Sequence, residues 1–203
     1  LNPDRPGHTI ESLLQAADST PWIPFDGSLN LGYQDEPVWV RIDLGSDRTD
    51  IALLEVAYPN LDVVDLYYVR GTDVLSTIRT GDRSPFEQRP WPHRHFIFPI
   101  ADQEFDRLYL RVQTSTSVQI PIAFVTPTEF SERDQASLVR QGLFLGVLLV
   151  MALYNLFIYL RTRETSFILY VGYVTSMALY QAFHHGLTFQ YLWPGSPDWH
   201  NIS

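Results

Sequence analysis

The pattern of apolar and polar positions divides the chain of 203 residues into two parts. In the first part, short runs rich in β-branched and aromatic residues alternate with turn residues, a pattern typical of β-strands. No helical pattern separates these runs, so they predict an antiparallel β-sandwich over 21–128, after a lead segment over 1–20. We predict six strands, over 38–44, 51–58, 62–69, 94–100, 107–114 and 118–125.

Two long apolar runs make up most of the second part. The run 142–160 carries no formal charge over 19 residues, enough for a helix to cross most of a ~30 Å hydrocarbon core. A second run, 166–184, follows after the short connection 161–165. The rest of the chain is too small to bury both runs. We therefore predict two transmembrane helices rather than two core helices of a soluble protein.

Arginines near the ends of these runs predict the topology in the membrane. Arg161 and Arg163 place their connection in the cytoplasm, although Arg140 on the other side weakens the asymmetry. The sandwich and the final segment, 185–203, then lie on the outer side of the membrane. Because the chain starts at Leu1 and stops soon after the second run, we expect a piece of a longer polytopic protein.

A helix is expected between the sandwich and the membrane. Ser131 is followed three residues later by Asp134, which resembles the start of a helix. The juxtamembrane segment 129–141 is therefore predicted to run as a helix into the first span. Such a rod could carry a displacement into the bilayer, or it could be a passive stalk.

Charge and composition exclude several classes of function. The net charge is −9, the part up to Gln135 is strongly acidic, and the chain has no cysteine. An acidic surface argues against nucleic-acid binding. The lack of cysteine excludes disulfides, thiolate catalysis and cysteine-based zinc sites. His93 and His95 lie on one side of a predicted strand but have no third ligand, so we expect no metal, no cofactor and no enzymatic activity in these residues.

The predicted strands carry one unusual surface. In 38–44, the valines and leucine face one way, whereas Trp39 and Arg41 face the other; Tyr109 and Arg111 repeat this order in 107–114. Aromatic rings pack against the apolar faces of sugars, and arginine forms paired hydrogen bonds with carboxylates. A solvated sheet face stabilised by aromatic–arginine pairs is the alternative.

Several segments resemble one receptor family: VWVRIDL, LLEVAYPNLDVVDLYYV, GDRSPFEQRPWPHRHFIFPI, LYLRVQTSTSVQIPIAF and TPTEF. They resemble the type-2 extracellular domain of bacterial seven-transmembrane receptors with diverse intracellular signalling modules. The apolar part resembles the start of that family's membrane domain. The resemblance implies a jelly-roll sandwich similar to carbohydrate-binding modules, in the periplasm of a bacterial inner-membrane receptor. It also implies seven spans and a cytoplasmic diguanylate cyclase or histidine kinase.

The resemblance also implies a role for the proline-rich loop 81–95. Arg89, Trp91 and His93 would then border the aromatic–arginine face and close it over a carbohydrate or a small carboxylate. Ordering of the loop would shift the juxtamembrane helix. A protein-interaction module that forms a homodimer or docks a partner receptor is the alternative. The predicted ligand-binding residues are Trp39, Arg41, Tyr58, Arg89, Trp91, His93, Tyr109, Arg111 and Gln113.

Overall fold

The computed structural model describes residues 9–16, 21–25, 28–44, 52–100, 105–191 and 194. The predicted lead segment is thus described over 9–16, and the predicted outer loop over 185–191 and at 194. The strands are β1 Ser28–Tyr33, β2 Val38–Asp43, β3 Leu53–Val56, β4 Val63–Arg70, β5 Asp73–Thr80, β6 Phe96–Pro99, β7 Arg107–Gln113 and β8 Ser117–Val125. The helices are α1 Ile10–Gln15, α2 Pro127–Thr162, α3 Thr165–His184 and α4 Leu187–Tyr191.

The strands form two four-stranded antiparallel sheets. The β1 sheet has the order β1-β8-β3-β6, and the β2 sheet has the order β2-β7-β4-β5. The predicted β-sandwich is confirmed, and its eight described strands match the strand number of a jelly roll. The sequence pattern missed β1 and β5, which both lie at sheet edges. Most side chains of β5 are exposed, so its two faces show no apolar–polar contrast.

The core lies between the two sheets and follows the predicted alternation. Val38 and Val40 of β2 and Leu108 and Leu110 of β7 are buried in it. From the opposite sheet, the core receives buried side chains that include Leu54, Val56, Phe96, Phe98, Val118 and Ile120. Replacing one such leucine by alanine costs about 2–5 kcal/mol, so this core accounts for much of the stability of the domain.

Helix α2 begins four residues before the predicted start at Ser131. Thr126 Oγ1 accepts a hydrogen bond from the backbone N–H of Glu129 (3.1 Å), and Glu129 Oε2 accepts one from the N–H of Thr126 (3.0 Å). This capping box, with Pro127 in the first turn, fixes the start of the helix. The helix then continues unbroken to Thr162, a length of roughly 54 Å at 1.5 Å per residue.

Helix α3 packs against α2 after a tight connection. Arg163 adopts a left-handed backbone conformation (φ 58°), and its N–H donates to the carbonyl of Tyr159 (2.7 Å). Within the described residues, α2 is the one helix whose length and apolar composition suffice to cross a membrane. The second predicted span coincides with α3, whose tyrosines and Gln181 lower its apolar content.

Candidate functional site

The four residues predicted to form the aromatic–arginine face lie next to one another in the structure. Strands β2 and β7 pair directly, with Trp39 opposite Arg111 and Arg41 opposite Tyr109. The next strand, β4, places Tyr67 opposite Tyr109. The four residues therefore share the outer face of the β2 sheet, as the alternation indicates.

This face is covered rather than open. Helix α1 lies on it and forms a second apolar cluster with the sheet, built from Ile10, Leu13, Leu14, Trp39, Tyr67, Val69 and Tyr109, with Trp22 at its border. Trp39 is 3% exposed and Tyr109 is fully buried. The ring centroids of Trp22 and Tyr109 lie 6.0 Å apart, and those of Trp39 and Tyr67 lie 5.6 Å apart. The expectation that Trp39 and Tyr109 present open rings to a ligand is wrong, because α1 packs on them.

The arginines of the same face are paired within the domain. Arg111 donates to Asp65 Oδ2 (3.1 Å) and to Gln113 Oε1 (2.9 Å). Arg41 donates to Asp43 Oδ2 (2.9 Å). Partial burial acts to raise the pKa of Asp43, but hydrogen bonds from Arg41 and Arg107 hold that pKa below its usual value. A cleft of about 270 Å³ remains beside Arg41, bordered by Trp22 and Phe25.

The proline-rich loop 81–95 lies elsewhere in the domain. It leads from β5, at one edge of the β2 sheet, to β6, at an edge of the β1 sheet. Arg89 and His93 contact β6, α2 and α4 rather than the aromatic–arginine face. The predicted closure of that face by the loop is therefore wrong, because the loop crosses to the other sheet. Trp91 is 41% exposed, and Tyr58 is half-buried against the sandwich core.

The C-terminal end of this loop holds α2. His93 Nδ1 accepts the backbone N–H of His95 (3.0 Å), so Nε2 carries the proton and donates to Asp134 Oδ1 (3.0 Å). Arg94 Nη2 donates to the same oxygen (2.5 Å). Burial lowers the pKa of His93 to about 4, against the raising effect of Asp134, so the ring is neutral at pH 7. We call His93, Arg94 and Asp134 the junction.

An apolar contact supports the junction. Phe130, one turn before Asp134 on α2, is buried in a cluster with Leu53, Ile97 and Val125. Its ring meets His93 edge to face, with centroids 4.9 Å apart. The first two turns of α2 are thus fixed to the β1 sheet by packing and to the loop 81–95 by an ion pair.

Arg89 closes the loop and ties it to the helices. Its Nη1 donates to the carbonyls of His93 (2.8 Å) and Arg94 (2.6 Å). Its guanidinium lies 4.4 Å from the ring centroid of Phe96 and 5.4 Å from that of Phe189 in α4. Burial lowers the pKa of Arg89 to about 10, so it remains charged at neutral pH. Arg89 therefore links the loop to β6 and to α4.

The N-terminal end of the loop borders a polar cleft. Arg83 Nη2 lies 2.8 Å from Asp62 Oδ2, which also accepts the N–H of Ser115 (3.0 Å). The cleft has a volume of about 390 Å³, and Tyr33 at its edge is 66% exposed. We call it the Tyr33 cleft; its lining comprises Tyr33, Gln34, Asp35, Asp62, Val63, Arg83, Gln113, Thr114 and Ser115. Gln113 is the one predicted ligand residue in this lining.

Comparison with protein families accounts for both parts of the chain. The family described as 7TMR-DISM extracellular 2 matches residues 6–126, and the one described as 7TM diverse intracellular signalling matches residues 137–203. The chain belongs to the 7TMR-DISM receptors. It therefore joins an N-terminal extracellular sensory domain to a seven-transmembrane signalling domain. No curated protein matches the chain.

The two family matches show where the junction lies relative to the two domains of the receptor. The 7TMR-DISM extracellular domain ends at residue 126 and the membrane domain begins at 137, so 127–136 lies between them. This interval holds Phe130 and Asp134, two residues of α2 that contact the extracellular domain. The extracellular match also starts before α1, which agrees with the packing of α1 on the β2 sheet.

Sequence reasoning missed the Tyr33 cleft and the junction for different reasons. Tyr33 ends a strand that the pattern does not predict, and Asp62 resembles an ordinary turn residue. The pattern marks Asp134 only as a capping residue of a helix that in fact starts earlier. One signal was available: a cluster of arginine and histidine just before an apolar strand requires an acidic partner when that strand is buried.

Proposed function

We propose that this receptor binds a ligand in its periplasmic domain and passes the signal into the membrane through the loop 81–95 and α2. One observation carries the proposal: the loop reaches the Tyr33 cleft at Arg83 and the juxtamembrane helix at Arg94. The signal would control a diguanylate cyclase or a histidine kinase in the cytoplasm of a bacterium, with the receptor in the inner membrane. Catalysis would belong to that output, and the described domain would only sense.

The chemistry of the Tyr33 cleft favours a carbohydrate over a small carboxylate. Its exposed tyrosine ring can stack on a pyranose, and its hydroxyl, amide and carboxylate groups can bond sugar hydroxyls. Asp35 and Asp62 outnumber Arg83, which is already paired with Asp62. An anionic ligand would meet these two carboxylates, whereas a neutral glycan would not be repelled.

Signalling requires that the ligand distinguish two states of the receptor. A ligand that bonds Asp62 competes with Arg83 for that carboxylate. Arg83 is then released, and the loop that begins beside it can change its position. Because Arg94 at the other end of the loop holds Asp134, the change reaches α2 directly. The coupling would be reciprocal, so a change at Asp134 would also alter ligand affinity.

The test is thermal unfolding of the purified chain against a panel of cell-wall sugars, polysaccharide fragments and small acids. A ligand at about 100 times its dissociation constant adds about 2.7 kcal/mol to the stability of the folded state. We expect Tyr33→Ala to abolish the rise in midpoint and Trp91→Ala, a second exposed aromatic, to leave it unchanged. A rise that survives Tyr33→Ala but is lost in Arg41→Gln would move the site to the cleft beside Trp22.

A protein-interaction function is the second candidate, and one observation favours it. Among the described residues, strand β5 is an edge of the β2 sheet, and its Val74 and Leu75 are 38% and 44% exposed. Such an edge can pair with another strand, including that of a second copy. If this is the function, no ligand in the panel will raise the midpoint. The chain will then form a dimer that Leu75→Lys dissociates.

A further inference from the structure

A third cavity lies where the sandwich meets the outer ends of the two long helices. Its volume is about 380 Å³, and it is lined by the residue before β6 and by residues of α2, α3 and the turn into α4. The α2 residues Arg140 and Gln141 form its polar part, and Phe144 and Leu145 lie one turn further along the helix. The cavity shares no residue with the Tyr33 cleft, so a ligand bound in it would occupy a different site from the ligand proposed for that cleft.

The cavity presents one uncompensated positive charge. Arg140 makes no ion pair or hydrogen bond with any residue that the structure describes, and the lining contains no aspartate or glutamate. His95, which also lines it, bonds Glu55 through Nδ1 (2.7 Å), so that histidine is already partnered by an acid. An unpaired guanidinium in an acid-free cavity favours an anionic group, above all a phosphate.

A buried hydrogen-bond acceptor in the cavity, Gln141 Oε1, indicates that the ligand also carries a donor. Gln141 donates through Nε2 to Ser137 Oγ (3.1 Å), but its Oε1 is buried and has no partner among the described residues. A buried carbonyl oxygen without a donor is costly, and a hydroxyl group would satisfy it. Because Arg140 and Gln141 both line the cavity, one ligand that carries both a phosphate and a hydroxyl can serve both.

The position of the cavity indicates the rest of the ligand. Arg140 stands just before the uncharged run 142–160, which places it at the level of lipid headgroups. Phe144 is 44% exposed and Leu143 71% exposed on the adjoining turn, so an acyl chain has an apolar surface to follow. We propose that this cavity binds an anionic phospholipid with a hydroxylated headgroup, of which phosphatidylglycerol is the simplest example.

The experiment is native mass spectrometry of the chain released from micelles that contain lipids of equal acyl length. Phosphatidylglycerol is compared with phosphatidylcholine, which has no net charge, and with phosphatidylmethanol, which keeps the charge but lacks the hydroxyl. We expect about fivefold higher retention of phosphatidylglycerol than of phosphatidylcholine, from one basic residue at the headgroup level. Retention of phosphatidylglycerol should also be about two- to tenfold higher than that of phosphatidylmethanol, because of one additional hydrogen bond.

Two variants and one control separate the contribution of the Arg140 charge to lipid binding from that of the Gln141 hydrogen bond. Arg140→Gln should reduce phosphatidylglycerol to the phosphatidylcholine level, and Gln141→Leu should remove only the advantage over phosphatidylmethanol. Arg161→Gln removes one positive charge from the other end of α2 and should change neither ratio. Equal retention of the three lipids by the parent chain, or an unchanged preference in Arg140→Gln, would overturn the proposal. Retention of soluble glycerol phosphate as strong as that of the lipid would overturn the assignment to a membrane lipid.

Discussion

The aromatic–arginine face and the junction use the same residue types and have opposite characters. On the face, Arg41 and Arg111 each bond a nearby carboxylate at the sheet surface, and the rings beneath are packed under α1. At the junction, Arg94 is almost fully buried, and its Nε and Nη1 have no hydrogen-bond partner among the described residues. The first arrangement is a structural layer in which each of these arginines has a carboxylate partner. The second keeps a charge buried on the strength of a single acidic partner, Asp134.

That difference suits the two regions to different tasks. Substitutions in the packed layer under α1 lower the stability of the domain, and the layer has no second packing arrangement to which it could switch. A buried cation with one partner is strongly destabilised when that partner moves, so the position of α2 and the packing of the loop depend on each other. We therefore expect the face to contribute stability, and we propose that the junction passes the signal to α2.

The largest expected effect tests the face. Trp39→Ala should lower the free energy of unfolding by about 3–5 kcal/mol, because it empties a buried site under α1. Chemical denaturation of the purified chain measures it. Arg41→Gln is the control from the same strand and should cost less than about 1 kcal/mol, since its ion pair with Asp43 is near the surface. A negligible cost for Trp39→Ala would mean that α1 does not cover the face.

The next effect tests the junction. Asp134→Ala should cost about 2–3 kcal/mol, because it leaves Arg94 buried without a carboxylate. Glu132→Gln, an exposed acid on the same helix, should change stability by less than about 0.5 kcal/mol. Adding Arg94→Met to Asp134→Ala should recover part of the loss, since no unpaired charge remains. The two changes would instead be additive if the pair did not interact.

A smaller effect concerns the turn between α3 and α4. Gly186 has a φ of +70°, and a Cβ there would lie 2.8 Å from the Cβ of Pro59 in the sandwich. Gly186→Ala should therefore destabilise the docking of the helices by about 1–2 kcal/mol. Limited proteolysis of the chain would detect the exposed turn. Gly172→Ala in α3, where an added Cβ meets nothing within 4 Å, is the matched control and should not increase cleavage.

The last prediction concerns the dependence of stability on pH. Because the pKa of His93 is lowered to about 4 in the folded protein, the unfolded chain binds more protons between that value and about 6.5. The contribution of His93 is therefore complete above about pH 6.5 and is lost as the pH falls toward 4. Thermal midpoints of the parent and of His93→Gln should converge as the medium is acidified. A difference that stays constant over this range would contradict the assignment.

Asp82 acts in the opposite direction and must be separated from His93. Burial, with a contribution from Asp62, raises the pKa of Asp82 to about 7. The folded protein then holds an extra proton between about pH 3.8 and 7, so the contribution of Asp82 is lost as the pH rises through this range. Comparing the parent with His93→Gln at each pH cancels the effect of Asp82, which both proteins share.

The sequence predicted the parts of the fold that depend on local periodicity. The alternation of Val38 and Val40 with Trp39 and Arg41 identified both the core and the outer face of β2. Strand β5 was not predicted because both of its faces are largely exposed, so its sequence shows no apolar–polar alternation. Helix α1 was also missed. Its Ile10, Leu13 and Leu14 have helical spacing, but a helix of six residues is too short to be stable without its packing on the sheet.

The candidate site was less predictable because it depends on distant residues. The sequence marked Arg89 and His93 as unusual but could not supply their partners, which come from positions such as Asp134 and Phe189. The predicted closure of the aromatic–arginine face by the loop 81–95 came from the family resemblance. The loop crosses to the other sheet instead, a fact fixed by topology and not by composition.

The central claim is that the loop 81–95 connects the Tyr33 cleft to α2, and one distance measurement tests it most directly. Because the chain has no cysteine, spin labels can be placed at the exposed residues Glu87 and Glu132 alone. Arg83→Gln breaks the pair at the cleft, whereas Arg79→Gln removes a similar charge from β5. We predict that Arg83→Gln shifts or broadens the distance distribution between the labels and that Arg79→Gln does not. Identical distributions in the parent and both variants would contradict the account.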